Sequence, residues 1–385
     1  MIKLADDTID PNELELLSQW IKEGHRLTKG ELCQEFEIKF SKFQGSKYSV
    51  FVNSGSSANL LVTQALIEGN FLKNNIAIAP AVSWVTTVTP LMQLGLDVKL
   101  CDCDNQNLGL DVEHLEELCE KYNPSVLVLV HVLGHANNLK RIKEICAKYD
   151  VHLFEDSCES LGSKYEGINL GSHGLAGTFS FYYGHHISTI EGGMVVTDNE
   201  ELYHLMLSIR SHGWSRDLPK KIHDSWKKDY DIDEVRDLYT FYYSGFNLRS
   251  TEVNAFLGIS QLNKLNDIIK VRESNYNTYK YELSEYWCQS SDTEPLSSFA
   301  YAVLVENRLE TYRFLRNHEI ESRPLICGNI GLHPFWIKNN SICSLPNADI
   351  IHYQGLYLPN HYNLTSSEVK DVANAFSKIA IPFDR

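Results

Sequence analysis

The chain has 385 residues and a formal net charge of −15, with 43% hydrophobic and 22% charged residues. Such a length is enough for one or two domains with a substantial core. The negative charge disfavours nucleic acid as a partner, because phosphate backbones need a surface rich in lysine and arginine. The sequence has no apolar run of about 18 residues, and its acidic N-terminus lacks the basic and apolar regions of a signal peptide, so no membrane partner is expected.

The nine cysteines are odd in number and scattered along the chain. This distribution is typical of reduced thiols and predicts a cytoplasmic location. The closest pair, Cys101 and Cys103, is not followed by a second CxC or CxxC motif that would complete a zinc site. We therefore expect no metal ion.

Short apolar runs alternate with helical stretches from about residue 46 to residue 200. Unbroken β-branched runs such as Val126–Val132 are typical of strands that are covered on both faces, as in a parallel or mostly parallel sheet. The order strand, helix, strand predicts right-handed crossovers and a layered α/β domain.

The pattern changes after Gly245, where apolar residues at three- and four-residue intervals over residues 250–283 predict one long helix or two. The later segments FAYAVLV and SSEVKDVANAFSKIA predict a smaller α+β unit. We place the boundary near residue 265, which gives a large domain of residues 1–265 and a small domain of residues 266–385.

Four segments of the large domain carry side chains suited to ligand binding. The first is Asn53–Asn59, which reads NSGSSAN directly after the apolar strand YSVFV. A helix N-terminus with small hydroxyl residues binds anions. An ordinary helix N-cap is the alternative interpretation, and on this segment alone it is the more common one.

The second segment, PAVSWVTTVTP, contains Trp84, which could stack on a flat ring or be a buried core residue. The third ends an apolar strand with Glu155 and Asp156, at the edge where α/β sheets bind ligands. A carboxylate there can pair with a protonated ring nitrogen, and a cap of the next turn is the alternative. The fourth is Thr178–Gly193, in which paired histidines precede two glycines.

Taken in this order, the four segments and the GFNLR sequence at Gly245–Arg249 resemble the sugar aminotransferase family that includes the DegT, DnrJ, EryC1 and StrS proteins. The resemblance extends over essentially the whole chain. It implies the α/β aspartate aminotransferase fold of fold type I pyridoxal phosphate enzymes, with a large, mostly parallel α/β/α domain and a smaller α+β domain.

The resemblance also implies roles for individual residues. The cofactor phosphate is assigned to Ser56, Ser57 and Ser180. Trp84 is expected to stack on the pyridine face and Asp156 to bind its nitrogen. Asn247 is expected to reach the phosphate of the neighbouring subunit's cofactor, which makes a homodimer with shared active sites the functional unit.

One departure from the family pattern bears on function. Most members have a lysine where this chain has His185, and no lysine occurs from Gly167 to Pro219. Without that amine the chain cannot bind the cofactor aldehyde covalently, whereas a histidine can still transfer protons near neutral pH. The change resembles the nucleotide-sugar 3-dehydratases of 3,6-dideoxysugar biosynthesis, which use pyridoxamine 5′-phosphate and expel the 3-hydroxyl of a 4-keto-6-deoxy sugar.

One branch of those dehydratases carries an iron–sulfur cluster on cysteines downstream of the histidine. This chain has no cysteine between Cys158 and Cys288, so we expect no cluster. It is similar to the cluster-free branch that acts on GDP-linked 4-keto-6-deoxymannose, including at His212–Pro219 and Glu321–Pro324. In that branch glutamate regenerates pyridoxamine phosphate from pyridoxal phosphate and becomes 2-oxoglutarate.

Three further residues are candidates for substrate binding. A guanidinium pairs well with carboxylate or phosphate, so Arg216 and Arg249 are candidates for glutamate or the sugar diphosphate, with a structural ion pair as the alternative. His212 is a candidate beside the sugar, and a buried, hydrogen-bonded histidine is the alternative. His186 is interpreted as structural or as a helper for the 3-hydroxyl.

Two other functions remain open from the sequence. A sugar 4-aminotransferase with an incidental histidine would yield a 4-amino sugar. A catalytically inactive regulatory relative would also explain the missing lysine, but it would have no need to keep Trp84, Asp156 and the phosphate-binding serines.

Overall fold

The computed structural model describes residues 1–383, and a seven-stranded sheet forms its centre. The strands of the chain are β1 (Tyr48–Val52), β2 (Ile76–Pro80), β3 (Asp97–Cys101), β4 (Val126–Val130), β5 (His152–Asp156), β6 (Lys164–Tyr165), β7 (Ile168–Asn169), β8 (Ala176–Ser180), β9 (Gly193–Thr197), β10 (Tyr301–Leu304), β11 (Arg323–Pro324) and β12 (Gly355–Leu358). The order in the large sheet is β1-β9-β8-β5-β4-β2-β3. β9 pairs antiparallel with β1 and with β8, and the other pairings are parallel.

Helices connect and cover these strands. They are α1 (Pro11–Lys22), α2 (Glu31–Gln44), α3 (Gly55–Glu68), α4 (Val85–Gln93), α5 (Val112–Tyr122), α6 (Leu139–Tyr149), α7 (Glu200–Arg210), α8 (Lys220–Asp229), α9 (Glu252–Glu282), α10 (Arg308–Asn317), α11 (Pro334–Ile337), α12 (Pro346–Gln354) and α13 (Ser366–Ser377). Short 3-10 turns lie at Val132–Gly134, Arg236–Tyr239 and Ile330–Leu332.

The apolar run at β4 behaves as its composition predicts. All five of its residues are buried, because the sheet is covered on both faces. Val126 and Val128 belong to one hydrophobic cluster, and Leu127 and Leu129 belong to another. Alternate side chains of a strand point to opposite faces, so a strand between two helix layers must be apolar throughout. The expectation of a mostly parallel, layered α/β domain is confirmed.

One helix of 31 residues, α9, occupies the region where the periodicity allowed one helix or two. Thr251 caps its start by accepting a hydrogen bond from the amide of Asn254. Position 265, our predicted domain boundary, lies inside this helix. The large sheet lies entirely before it, and the three-stranded sheet β10-β12-β11 lies entirely after it. The division at residue 265 stays a prediction.

None of the helices within residues 1–383 combines the length and the hydropathy that crossing a bilayer requires. The nine cysteines all lie in the same range, and no disulfide bond joins any of them.

Candidate active site

A cavity of about 290 Å³ opens at the carboxyl ends of the parallel strands in the large sheet. Val130 at the end of β4 and Asp156 at the end of β5 lie in its wall. This is the edge at which open α/β sheets bind ligands. The cavity brings together a set of the residues singled out from the sequence: Ser56, Trp84, Asp156, Ser180 and His185.

The start of α3 lies in the wall of the cavity. Ser54 caps the helix, because its hydroxyl accepts a hydrogen bond from the amide of Ser57 at 3.0 Å. The first amides of any helix lack partners within the helix, and the helix dipole makes this end attractive to anions. Ser56 adds a hydroxyl that donates to Thr86 Oγ1 at 2.8 Å. The turn is therefore an N-cap, made by Ser54, and it also presents an anion-binding helix end to the cavity.

Glycine is required where α3 begins because β8 approaches closely. A Cβ atom on Gly55 would lie 2.6 Å from the Cβ of Ser180, which is closer than real Cβ contacts. The missing side chain lets the end of β8 lie directly against the helix start. As a result Ser180 and Ser56, which are far apart in sequence, line the same cavity.

Asp156 is held by a hydrogen-bonded network beneath the cavity. Its Oδ2 accepts hydrogen bonds from Asn59 Nδ2 at 2.8 Å and from Thr87 Oγ1 at 2.7 Å. The amide oxygen of Asn59 in turn accepts one from Thr178 Oγ1 at 2.6 Å. The amide of Cys158 donates to Oδ1 at 3.2 Å. Elements α3, α4 and β8 thus fix one orientation of the carboxylate.

The neighbouring carboxylate, Glu155, has a different task. It is fully buried, and it accepts hydrogen bonds from His131 Nε2 and from the amides of Gly171, His173 and Gly174 at 2.6–2.9 Å. Burial alone would raise the pKa of Glu155, but the hydrogen bond and charge of His131, with the amide donors, hold it below its ordinary value. Adjacent residues of a strand face opposite sides, so Asp156 faces the cavity and Glu155 anchors a loop.

His185 lies in the wall of the cavity, in the segment that joins β8 and β9. Its ring centroid is 5.2 Å from that of Phe299. Burial lowers the pKa of His185 to about 4 and the positive charge of Arg272 adds to this, while the main chain of Cys158 and the charge of Asp156 act in the opposite direction. At neutral pH the imidazole is therefore uncharged and can accept a proton.

Trp84 is the residue that precedes α4, and 57% of its surface is exposed. An indole that was part of the core would be covered on both faces. Trp84 instead presents its ring to the cavity. The structure therefore favours the interpretation that Trp84 offers a surface on which a flat ring can stack. It does not favour the alternative of a buried core residue.

Four predicted site residues lie in the segment 212–249, outside the wall of this cavity. Arg249 Nε donates to Asn247 Oδ1 at 3.0 Å, and Arg249 Nη2 lies 3.3 Å from His212 Nε2. Arg216 is exposed and lies over the ring of Trp214, 4.3 Å from its centroid. Within residues 1–383 the side-chain hydrogen bonds of Arg216 and Arg249 go to the carbonyl of Leu238 and to Asn247 and His212, not to carboxylates, so the structural ion pair is not observed for them.

A main-chain hydrogen bond also joins the segment 212–249 to the residues just before α3 in the same chain. The amide of Asn53, just before α3, donates to the carbonyl of Leu248 at 3.0 Å. Ser57, predicted to bind the phosphate, also lies outside the cavity wall, and its amide and hydroxyl are both hydrogen-bonded to Ser54. His186 is fully buried and its Nε2 lies 2.9 Å from the carbonyl of Ser297, which agrees with the structural interpretation.

Several residues in the cavity wall had no assigned role from the sequence. They are Asn59, Thr87, Glu159, Arg272, Arg323 and His361. Asn59 and Thr87 lie within motifs that the sequence did single out, so they could have been found. Glu159 follows Asp156 by three residues, and burial raises its pKa to about 8. Arg323 lies in Glu321–Pro324, a segment that the resemblance included without assigning a role to this residue, whereas Arg272 and His361 carry no local signal.

The cavity fits a pyridoxal-type cofactor. A helix end for a phosphate, an oriented carboxylate for a ring nitrogen and an exposed indole for a ring face all lie in its wall. Within residues 1–383 there is no group of three or more His, Cys, Asp or Glu side chains that could hold a metal ion. The arrangement is that of an enzyme that transfers protons around a bound aromatic phosphate.

The chain belongs to the DegT/DnrJ/EryC1/StrS aminotransferase family, whose model matches residues 7–377. This confirms the resemblance seen in the motifs and, with it, the fold type I architecture.

Within this family, the chain is similar to enzymes that are named as 3-dehydratases. The chain is 36% identical over 394 residues to GDP-4-keto-6-deoxy-D-mannose 3-dehydratase of Yersinia pseudotuberculosis, which covers 97% of this chain and 98% of that protein. It is 37% identical over 377 residues to the enzyme of the same name from Escherichia coli O55:H7, which covers 93% of this chain and 95% of that protein. A crystal structure of GDP-4-keto-6-deoxymannose-3-dehydratase with a trapped PLP-glutamate geminal diamine matches with a TM-score of 0.87 at 34% identity, and the match covers 98% of this chain and 100% of that one.

Proposed function

We propose that this chain is a 3-dehydratase that holds pyridoxamine phosphate and pyridoxal phosphate without a covalent bond. Its substrate is a nucleotide-linked 4-keto-6-deoxy sugar, from which it removes the 3-hydroxyl. The observation that carries the proposal is His185, an imidazole in the same cavity wall as Asp156, at the position where most family members have a lysine. The relatives' substrate supports a GDP-linked hexose, and the trapped PLP-glutamate adduct in the related structure supports glutamate as the amino donor.

Different residues of the cavity are suited to binding different parts of the cofactor. The start of α3 with Ser56, together with Ser180, is suited to the phosphate. The carboxylate of Asp156 keeps a proton on the ring nitrogen, since a negative charge favours the protonated form of its partner. When bound, pyridoxamine phosphate would supply an amine for the sugar ketone and an aromatic ring that takes up the electron pair left by removal of a proton and returns it as the C3–O bond breaks.

His185 is the residue that we expect to accept a proton during the reaction and to give one up again. Its neutral imidazole accepts a proton at a ring nitrogen, and the protonated ring then donates to the hydroxyl that leaves carbon 3 of the sugar. An imidazole cannot form the covalent bond that a lysine amine would form with the cofactor aldehyde. In the complete reaction, carbon 3 gains hydrogen in place of hydroxyl, and hydrolysis releases ammonia. Glutamate supplies the two electrons as it becomes 2-oxoglutarate.

We also propose that two copies of the chain form each active site, in a homodimer. Asn247, Arg249 and His212 form a hydrogen-bonded group outside the cavity of their own chain. This position supports the prediction that Asn247 reaches the phosphate in the neighbouring subunit and that Arg216 and Arg249 bind anionic groups there. The nine cysteines without disulfide bonds support a cytoplasmic location.

The proposed function is tested by identifying the product. The purified protein is incubated with pyridoxal phosphate, glutamate and GDP-4-keto-6-deoxymannose, and the products are analysed by mass spectrometry and by an ammonia assay. We expect a 3-deoxy ketosugar and ammonia in equal amounts. A 4-amino sugar as the sole product would identify an aminotransferase, and the absence of both cofactor binding and turnover would identify an inactive relative.

A further inference from the structure

Arg272 of α9 is a buried arginine in the wall of the cavity. Only 1% of its surface is exposed, and burial lowers the pKa of its guanidinium to about 9, with no carboxylate among the causes that offset it. Arg210 is equally buried, but Glu37 and Asp217 form ion pairs with it. Buried charges are normally paired in this second way. Arg272 therefore needs a different explanation.

Main-chain carbonyl groups surround the guanidinium instead of carboxylates. Its Nη1 donates to the carbonyls of Ser298 and Phe299 at 3.3 and 3.0 Å, and also to the carbonyl of Asn360. Its Nη2 donates to the carbonyl of His185 at 3.4 Å. One planar group thus joins the segment before β10, the segment after β12 and the segment that carries His185. An ammonium group could not bond to several carbonyls in one plane in this way.

Carbonyl dipoles accept hydrogen bonds from the two terminal nitrogens of Arg272, while its Nε has no hydrogen-bond partner. These dipoles leave the net positive charge of the guanidinium in place. That charge acts on the histidines around it. Burial is the largest cause that lowers the pKa of His185, His186 and His361, and the charge of Arg272 contributes to all three. Like charges close together disfavour each other's charged form.

We propose that Arg272 is a positioning residue for His185: it fixes the main chain of the histidine and, through its uncompensated charge, favours the neutral imidazole. The inference rests on the proposed role of His185 as the proton carrier. It explains why the cavity keeps a buried cation without a carboxylate partner. A carboxylate at Arg272 would cancel the charge and make it easier to protonate the histidine before the substrate arrives.

Other groups around His185 act on it as well. Asp156 from the end of β5 and the main chain of Cys158 favour the protonated ring. His186, on the same segment, is fully buried and its own pKa is lowered, so it adds no positive charge at neutral pH. Phe299 contacts the ring but is uncharged. Arg272 is thus the charged group that opposes Asp156.

The test is a titration of His185 in the cofactor-free protein, followed by NMR of ¹³C-labelled histidine. The His185 signal is assigned by its loss in the His185→Asn variant. Arg272→Gln is neutral but keeps N–H donors, and Arg272→Lys keeps the charge but loses the planar group. We expect the pKa of His185 to rise by about one pH unit in Arg272→Gln and to stay near the wild-type value in Arg272→Lys. The acid limb of the pH–rate profile should move in the same direction.

Arg210→Gln is the matched control, since it removes an equally buried guanidinium whose charge does not act on His185. It should leave the titration of His185 unchanged. An unchanged pKa in Arg272→Gln would overturn the inference, and so would an equal rise in both Arg272 variants, which would show that only water exclusion had been lost. If Arg272→Gln does not fold, Arg272→Lys still decides, because a raised pKa with the charge retained contradicts the proposal. The titration uses neither cofactor nor sugar, so it stands apart from the product analysis that tests the proposed function.

Discussion

Site residues were predicted both in what proved to be the cavity wall and in the segment 212–249. The contacts that hold these side chains differ between the two regions. In the cavity, Asp156, Asn59 and Thr178 form a continuous chain of hydrogen bonds between three elements. In the segment, the Arg249 side chain hydrogen-bonds Asn247 and lies 3.3 Å from His212, and Arg216 lies over the rings of Trp214 and Tyr239 and donates to the carbonyl of Leu238. In the cavity the partners come from separate elements of the large domain, whereas in the segment the side-chain partners all lie within residues 212–249.

The difference indicates which part of the site one chain completes by itself. A carboxylate that several buried donors hold is already oriented before any ligand binds. Side chains whose partners all lie in one segment gain further contacts when another surface covers them. The comparison therefore predicts that defects in the cavity act within one subunit and that defects in the segment act on the neighbouring one.

The largest expected effect is at the cavity. His185→Asn removes the proton carrier but keeps a side chain of similar size, so it should still bind pyridoxamine phosphate and lose dehydration by about 10²–10⁴-fold. Steady-state kinetics and the absorbance of bound cofactor measure the two properties. His204→Asn, on α7 and outside the cavity wall, is the control and should keep full activity. Full turnover by His185→Asn would mean that another group carries the proton.

Mixing two inactive variants tests the predicted sharing of sites. Asn247→Asp places a negative charge where a phosphate of the neighbouring subunit is expected, so this variant should lose cofactor affinity. When it is denatured and refolded with an equal amount of His185→Asn, about a quarter of the wild-type activity should return, because half of the dimers are mixed and each has one intact site.

The control for the mixing experiment pairs two defects from the same cavity. His185→Asn refolded with Asp156→Asn should recover no activity, since every site in every dimer keeps one defect. If both mixtures recovered the same activity, or if neither recovered any, the result would contradict the prediction. That prediction is that defects in the cavity and defects in the segment act in different subunits.

Acid should destabilise the fold through the histidines whose pKa burial lowers. Folding lowers the pKa of a set of histidine side chains: His135, His173, His185, His186, His204, His352 and His361. Burial is the first cause in each case. Because the unfolded chain then binds more protons, the free energy of unfolding should fall as the pH is lowered from about 6.5 towards 4. Urea unfolding at a series of pH values measures this, and a constant free energy over that range would contradict it.

The smallest expected effect concerns Glu159 in the cavity wall. Burial raises its pKa from 4.5 to about 8, so the folded chain holds a proton that the unfolded chain releases, and stability falls as the pH rises between these values. Glu159→Gln resembles the protonated form and removes this loss. The melting temperature of the cofactor-free variant should exceed that of the wild type by more at pH 8 than at pH 5.5. An equal difference at both values would show that the carboxyl is ionised throughout.

Much of the fold could be predicted because its signals are local. The run at β4 is apolar at every position, and a strand between two helix layers has to be. The N-terminus of α3 follows from a small polar turn after a strand. The contacts of Asp156 were not predictable to the same degree, because Asn59 and Thr87 reach its carboxylate from 97 and 69 residues away in sequence, through three-dimensional packing.

The sequence by itself determined the chemistry at position 185, because an imidazole cannot replace the covalent bond that a lysine amine makes. It also determined the alternation that puts Glu155 and Asp156 on opposite faces of one strand. The resemblance had already assigned Asp156 to the cofactor, and only the tertiary structure decided which neighbours fix its carboxylate and which tune His185. Arg272 follows the histidine by 87 residues, and its charge has effect only because folding buries it among carbonyl groups beside that ring. Burial and proximity are properties of the packed chain, and they set whether the same imidazole is charged or neutral at a given pH.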